Sequence, residues 1–178
     1  MFDTFRTHAM KVFAAIFVLG NASGCTILPE IVPGAKTTAA VQEICLEDRH
    51  PEETAFCFIG AYAAAVDALA AEREAGTLDP KVVQYADVAI NTTAEPVALA
   101  AESWGTVAKW RMEVDTLRPL AEKCIETVSD QSKLSDCLGA VGYLTATGEL
   151  SRLAAEAQSD WATLKPKVEA VIGLNKVD

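Results

Sequence analysis

The sequence has 178 residues, and its 15 basic and 25 acidic side chains give a formal net charge of −10. This length suits one domain with a sizeable apolar core. The acidic balance argues against nucleic acid as a partner, because phosphate backbones attract basic proteins.

The first 25 residues have the three-part layout of an export signal. Arg6 and Lys11 supply positive charge, an apolar run covers positions 12–19, and small or polar residues lead to Cys25. A membrane-spanning helix needs roughly 17–25 apolar residues. The run is therefore too short to cross a bilayer alone and indicates a signal peptide.

The end of this stretch, Ala22-Ser23-Gly24-Cys25, resembles the lipobox of bacterial lipoproteins. In that family a cysteine preceded by small residues is acylated and becomes the mature N-terminus. The resemblance implies a signal peptide at residues 1–24 and a lipid anchor on Cys25, with palmitate among its acyl chains. Several chains hold a protein firmly at a membrane. Since Thr26 replaces the aspartate that commonly retains such proteins in the inner membrane, the resemblance implies the outer membrane of a Gram-negative bacterium.

Residues 26–37 contain two prolines and a glycine. This composition is typical of an extended segment, so we expect residues 25–37 to form a lipidated cysteine and a flexible tether. The remaining residues, 38–178, are predicted to form a single helical domain.

Apolar residues recur at helical spacing through the predicted domain, and alanine is frequent in those stretches. No stretch alternates apolar and polar residues as an amphipathic strand does. The pattern predicts an all-α fold, an antiparallel bundle of about five or six helical segments. The first helix is expected at about 38–48, the second from Pro51 to about Ala75, and the third from Asp79-Pro80.

Prolines and glycines suggest where the later helices end. We expect a break or kink near Pro96, an interruption at Pro119, and a kink or split at Pro166. Gly148 is expected to separate the last two segments. The final segment carries near-heptad apolar positions, at 150, 153, 157, 161, 164, 168 and 171.

Four cysteines remain when Cys25 is set aside: Cys45, Cys57, Cys124 and Cys137. An even number in an exported protein favours disulfides. Cys45 and Cys57 lie equally far from Pro51, and the other two flank the turn at 130–131 almost symmetrically. Facing positions in a helical hairpin can be bridged, so two local disulfides are predicted. Buried free thiols, crossed pairing and a zinc site remain as alternatives, although zinc prefers C-x-x-C pairs.

The sequence gives little support for catalysis. His50 is the one histidine beyond the signal, and its neighbours Glu52 and Glu53 suit an acidic first helical turn better than an acid–base or metal site. One histidine cannot supply a multi-histidine metal site, and phosphate-loop, dinucleotide and haem motifs are missing. We therefore predict a non-enzyme without metal or cofactor.

Aromatic residues are the remaining candidates for ligand or partner contacts: Phe56, Trp104, Trp110 and Trp161. Core packing is the default role for the tryptophans. The first functional hypothesis is a lipid-anchored, non-catalytic envelope protein that binds a protein partner or masks a surface. Alanine-rich helical lipoproteins also occur on phage and prophage genomes, so that origin stays open. The alternative is a small-molecule-binding periplasmic bundle with a pocket lined by Phe56, Trp104 and Trp161. An enzyme based on His50 is the third hypothesis.

Overall fold

The structure is a computed structural model, which describes residues 38–45 and 50–174. These residues form five helices and no strands: α1 (Thr38–Cys45), α2 (Pro51–Ala75), α3 (Pro80–Thr127), α4 (Gln131–Ala140) and α5 (Tyr143–Leu174). The predicted all-α bundle with two local disulfides is confirmed. The predicted signal peptide, Cys25 and the tether lie outside the described residues.

The chain divides into two compact units. Unit 1 contains the described residues up to Glu102 and those from Ser159 onwards, which gives it α1, α2, the first part of α3 and the end of α5. Unit 2 contains Ser103–Gln158, with the rest of α3, all of α4 and the first part of α5.

Helix α2 begins and ends as its sequence predicts. Pro51 occupies the first turn, where its missing N–H costs no hydrogen bond. The backbone N–H of His50 donates to the Glu53 carboxylate over 3.3 Å. At the other end Gly76 adopts a left-handed φ of 67° and its N–H donates to the Arg73 carbonyl. Glycine takes this conformation without the steric cost that a Cβ brings, so the helix ends there.

Helix α2 is buried on nearly all sides between residues 55 and 66. Its largest buried side chains are Phe58, Ile59 and Tyr62, and alanines fill much of the remaining surface. Its length and apolar composition would also allow it to cross a membrane, but most of its apolar stretch is buried inside the protein. An evenly apolar helix that is buried in this way is the core helix of its unit.

The interruption predicted at Pro119 is wrong and Pro96 does not break the helix, because α3 runs unbroken from Pro80 to Thr127. A kink at Pro96 stays a prediction. Both prolines are exposed, and the buried stripe of the helix passes on the other side of them. A proline inside a helix costs about 3 kcal/mol. Burial of each large apolar side chain contributes about 1.5–3 kcal/mol, so a continuous stripe that includes Ile90 and Val97 offsets that cost.

The break predicted at Gly148 is also wrong, since this residue lies inside α5. The helical pattern ends earlier, at Ala140, and Gly142 adopts a left-handed φ of 79° before α5 begins. Gly148 is exposed, where glycine costs a helix only about 1 kcal/mol. Pro166 likewise does not split α5. The near-heptad positions from Ala157 onwards in this helix are buried as predicted.

Candidate functional site

The two predicted disulfides are confirmed. Cys45 is joined to Cys57 with 5.5 Å between their Cα atoms, and Cys124 is joined to Cys137 with 5.9 Å. The alternatives of free thiols, crossed pairs and zinc therefore do not apply to these four residues. The bridges differ in exposure: Cys45, Cys57 and Cys124 are buried, whereas Cys137 is partly exposed.

Trp161, one of the four predicted contact residues, lies in the core of unit 1. Its ring packs against Phe58 with 6.3 Å between ring centroids and a tilt of 57°. This tilted arrangement is favourable for aromatic pairs. Phe56, predicted to share a pocket with Trp161, is only half-buried. Phe58, which was not among the residues predicted from the sequence, is fully buried.

A polar chain extends from this aromatic pair across three helices of unit 1. The Lys165 ammonium lies 4.8 Å from the centre of the Phe58 ring and 3.7 Å from the Glu169 carboxylate. Glu169 in turn accepts a hydrogen bond of 2.8 Å from the Gln42 side chain on α1. These contacts join α1, α2 and α5.

The other two predicted contact residues, Trp104 and Trp110, belong to unit 2. Trp104 is 1% exposed and Trp110 is half-buried. The indole Nε1 of Trp104 has no hydrogen-bond partner in the described part of the chain. Buried polar groups are normally paired, so this donor is a feature that needs a partner. The predicted pocket combines Trp104 of unit 2 with Phe56 and Trp161 of unit 1. It therefore stays a prediction.

A buried hydrogen-bond pair in unit 1 was not predicted from the sequence. The hydroxyl oxygens of Tyr62 on α2 and Thr93 on α3 lie 2.9 Å apart. Thr93 also donates to the Ala89 carbonyl over 2.7 Å. Since its single proton is used there, Tyr62 is the donor in the pair. Burial raises the pKa of the Tyr62 hydroxyl.

His50, which the sequence offered for an acid–base or metal site, has a plain local role. It is exposed and precedes α2, where its backbone N–H donates to the Glu53 carboxylate. Within residues 38–45 and 50–174 no cluster of histidine, cysteine or acidic side chains could hold a metal ion. On α2, partial desolvation raises the pKa of the Asp67 carboxyl, although the residue is exposed.

Large apolar side chains are exposed on one face of α3 in unit 1. Tyr85, Val88 and Leu99 are exposed by 66%, 63% and 57%. Their spacing places them on the same side of the helix, opposite the buried stripe. We call these three residues the α3 apolar row. Leu99 is exposed because the buried positions of α3 lie on the other face.

No protein-family model matches the chain, and neither a curated protein nor a solved structure matches it. Function therefore has to be argued from the residues themselves.

Proposed function

We propose that this protein is a lipid-anchored, non-catalytic interaction protein of the bacterial envelope. Cys25 carries the anchor, the outer membrane is its location, and the helical domain binds a protein partner. The observation that carries the proposal is the lipobox-like stretch that ends at Cys25.

The cysteine inventory supports the role of Cys25. The sequence has five cysteines, and the two disulfides account for four of them. Disulfides form and persist in exported proteins and are rare in the cytosol. The fifth cysteine is therefore left for a different use, and it lies where the lipoprotein family places its acylated residue.

The surface of unit 1 supports a partner-binding role. Single exposed apolar residues are common on proteins, whereas contiguous exposed apolar patches mark interaction sites. In the α3 apolar row Tyr85 and Val88 lie about one turn apart and Leu99 lies on the same face about three turns further on. Tyrosine is a residue type enriched at interfaces. The acidic net charge favours a partner with a basic or neutral surface over an anionic lipid surface.

The lipid anchor is tested by Cys25→Ser in a Gram-negative host. We expect wild-type protein to incorporate labelled palmitate and to sediment with outer-membrane vesicles, and we expect the variant to do neither. An inhibitor of the lipoprotein signal peptidase should make the wild-type precursor accumulate. A variant that still sediments with the membrane and still incorporates label would contradict the proposal.

The partner contact is tested by placing a photo-crosslinking amino acid at Val88 in the anchored protein. A matched position is Asp160, which is exposed on α5. We expect one discrete crosslinked species from position 88 that is lost when Tyr85 and Leu99 are changed to serine, and none from position 160. Equal crosslinking at both positions would contradict a specific contact at the α3 apolar row.

One observation favours the small-molecule alternative, namely the unpartnered indole N–H of Trp104. A ligand with a hydrogen-bond acceptor would satisfy that donor. With ¹⁵N-labelled tryptophan, small molecules extracted from the envelope should shift the Trp104 indole resonance and leave that of Trp161 in place. An unchanged spectrum would count against this second function.

A further inference from the structure

We propose that the Cys124–Cys137 bridge is a site of thiol–disulfide exchange with dithiol reductants, and that its reduction releases α4 from unit 2. This property is separate from the proposed anchoring and partner binding. It requires only that the chain meets a dithiol, either a small molecule or a protein of the thiol-oxidoreductase kind.

The first step of the argument is the difference in access between the two bridges. Cys45 and Cys57 are 0% and 5% exposed, so a thiolate cannot reach either sulfur without local opening. In the second bridge Cys124 is 3% exposed, whereas Cys137 is partly exposed. Exchange rates depend on which sulfur can be attacked. Reduction therefore begins at Cys137.

The second step concerns what the bridge holds. Helix α4 has ten residues, of which seven are exposed and three, Leu134, Cys137 and Leu138, are half-buried. Isolated helices shorter than about 12–15 residues are marginal in water. Its capping bonds are local, from the Lys133 N–H to Asp130 and from the Val141 N–H to the Cys137 carbonyl. The Cys124–Cys137 disulfide is the cross-link that ties α4 to α3, and local opening is expected once it is cut.

The exchange balances with one dithiol. A reductant thiolate bonds to the Cys137 sulfur, and the Cys124 sulfur leaves as a thiolate and takes up a proton. The second reductant thiolate then displaces Cys137, which is also protonated. Two electrons and two protons pass to the protein, and the reductant leaves as a disulfide.

The reverse reaction needs an oxidised dithiol and restores the loop that the bridge closes. The 13-residue separation between the two cysteines sets the entropic gain from closure. By the chain-entropy relation, that closure corresponds to roughly 100-fold in the equilibrium between attached and released α4.

The experiment uses the full chain under native conditions with increasing dithiothreitol. Differential alkylation and mass spectrometry follow each bridge, and hydrogen exchange follows residues 131–140 and 51–75. We expect Cys124–Cys137 to be reduced at least about tenfold faster than Cys45–Cys57. We expect 131–140 to lose on the order of 100-fold protection, while 51–75 keeps its protection.

Matched variants separate this proposal from general loosening. Cys124→Ser with Cys137→Ser should reproduce the loss of protection at 131–140 without reductant. Cys45→Ser with Cys57→Ser should leave 131–140 protected. If a variant fails to fold, the wild-type time course decides. Reduction of the buried bridge first or of both bridges together, or a protected α4 after reduction, would overturn the proposal.

Discussion

The buried pair of Tyr62 and Thr93 allows a quantitative prediction about the contact between α2 and α3. Tyr62 is 1% exposed and Thr93 is 2% exposed, so water does not replace either partner. Tyr62→Phe removes the donor but leaves Thr93 bonded to the Ala89 carbonyl. Thr93→Val removes the acceptor and leaves the Tyr62 hydroxyl buried without a partner.

These two changes should therefore differ in cost. Loss of an ordinary hydrogen bond costs about 0.5–1.5 kcal/mol, and an unsatisfied buried hydroxyl costs about 1–3 kcal/mol. We expect the loss of stability from Tyr62→Phe to fall in the lower range and that from Thr93→Val to fall in the upper range. Replacement of both partners by apolar groups can be nearly neutral. The double variant should then be more stable than Thr93→Val alone.

The assay is urea denaturation followed by far-ultraviolet circular dichroism at pH 7, with Tyr85→Phe as the control on an exposed tyrosine. The double-mutant cycle gives the coupling energy between Tyr62 and Thr93 directly. The reasoning is refuted if the two single costs are equal, or if the double variant costs their sum.

The same pair predicts a pH dependence. Burial raises the pKa of Tyr62 in the folded state above its ordinary value of 10.0. A raised pKa means that the contribution of this group to stability is complete below the unfolded value and is lost as the pH rises through the folded value. The stability difference between wild type and Tyr62→Phe should therefore shrink above about pH 10. If the stability difference between wild type and Tyr62→Phe stays constant as the pH rises above about 10, the raised pKa of Tyr62 is contradicted.

Three further predictions test other parts of the structure. Pro96→Ala should stabilise the protein by about 2 kcal/mol in urea denaturation, because it restores a hydrogen bond within a continuous helix; no gain would indicate a break there. Phe58→Ala should cost about 3–5 kcal/mol in the same assay, and a cost below about 1.5 kcal/mol would contradict its place in the core. Partial desolvation raises the pKa of Asp67 although the residue is exposed, so its charged form opposes folding only weakly, and Asp67→Asn should raise the melting temperature slightly at pH 7 but not near pH 2.5. The control is Asp160→Asn at an exposed position of α5. An equal shift in melting temperature for Asp67→Asn at both pH values would refute desolvation of Asp67 as the cause.

Features fixed by neighbours in the sequence were predictable. The start of α2 at Pro51, its end before Gly76 and the start of α4 after Asp130 depend on capping residues a few positions away. The disulfides could also be predicted, since the two cysteines of each pair lie almost equally far from a helix start, at Pro51 or Gln131. Local chemistry determines these features, so the sequence alone carries the signal.

Features fixed by packing between helices were not predictable in the same way. Pro96 and Pro119 have a strong local tendency to end a helix, and only the buried stripe that passes behind them explains why α3 continues. The choice of Phe58 over Phe56 as the partner of Trp161 depends on how α5 packs against α2. The bond between Tyr62 and Thr93 joins residues 31 positions apart, and no spacing rule links them.

The alanines on the buried surface of α2 have a consequence for how the protein can vary over generations. Ala61, Ala63 and Ala65 are buried, and because their side chains are already small, substitution there mostly adds volume. Most single-nucleotide changes in an alanine codon encode a larger residue, such as valine, threonine, aspartate or glutamate. Overpacking of a filled core costs about 1–3 kcal/mol. Evolutionary substitution along α2 is therefore limited by crowding. A larger residue on this helix is expected to require a smaller residue on the helix that packs against it.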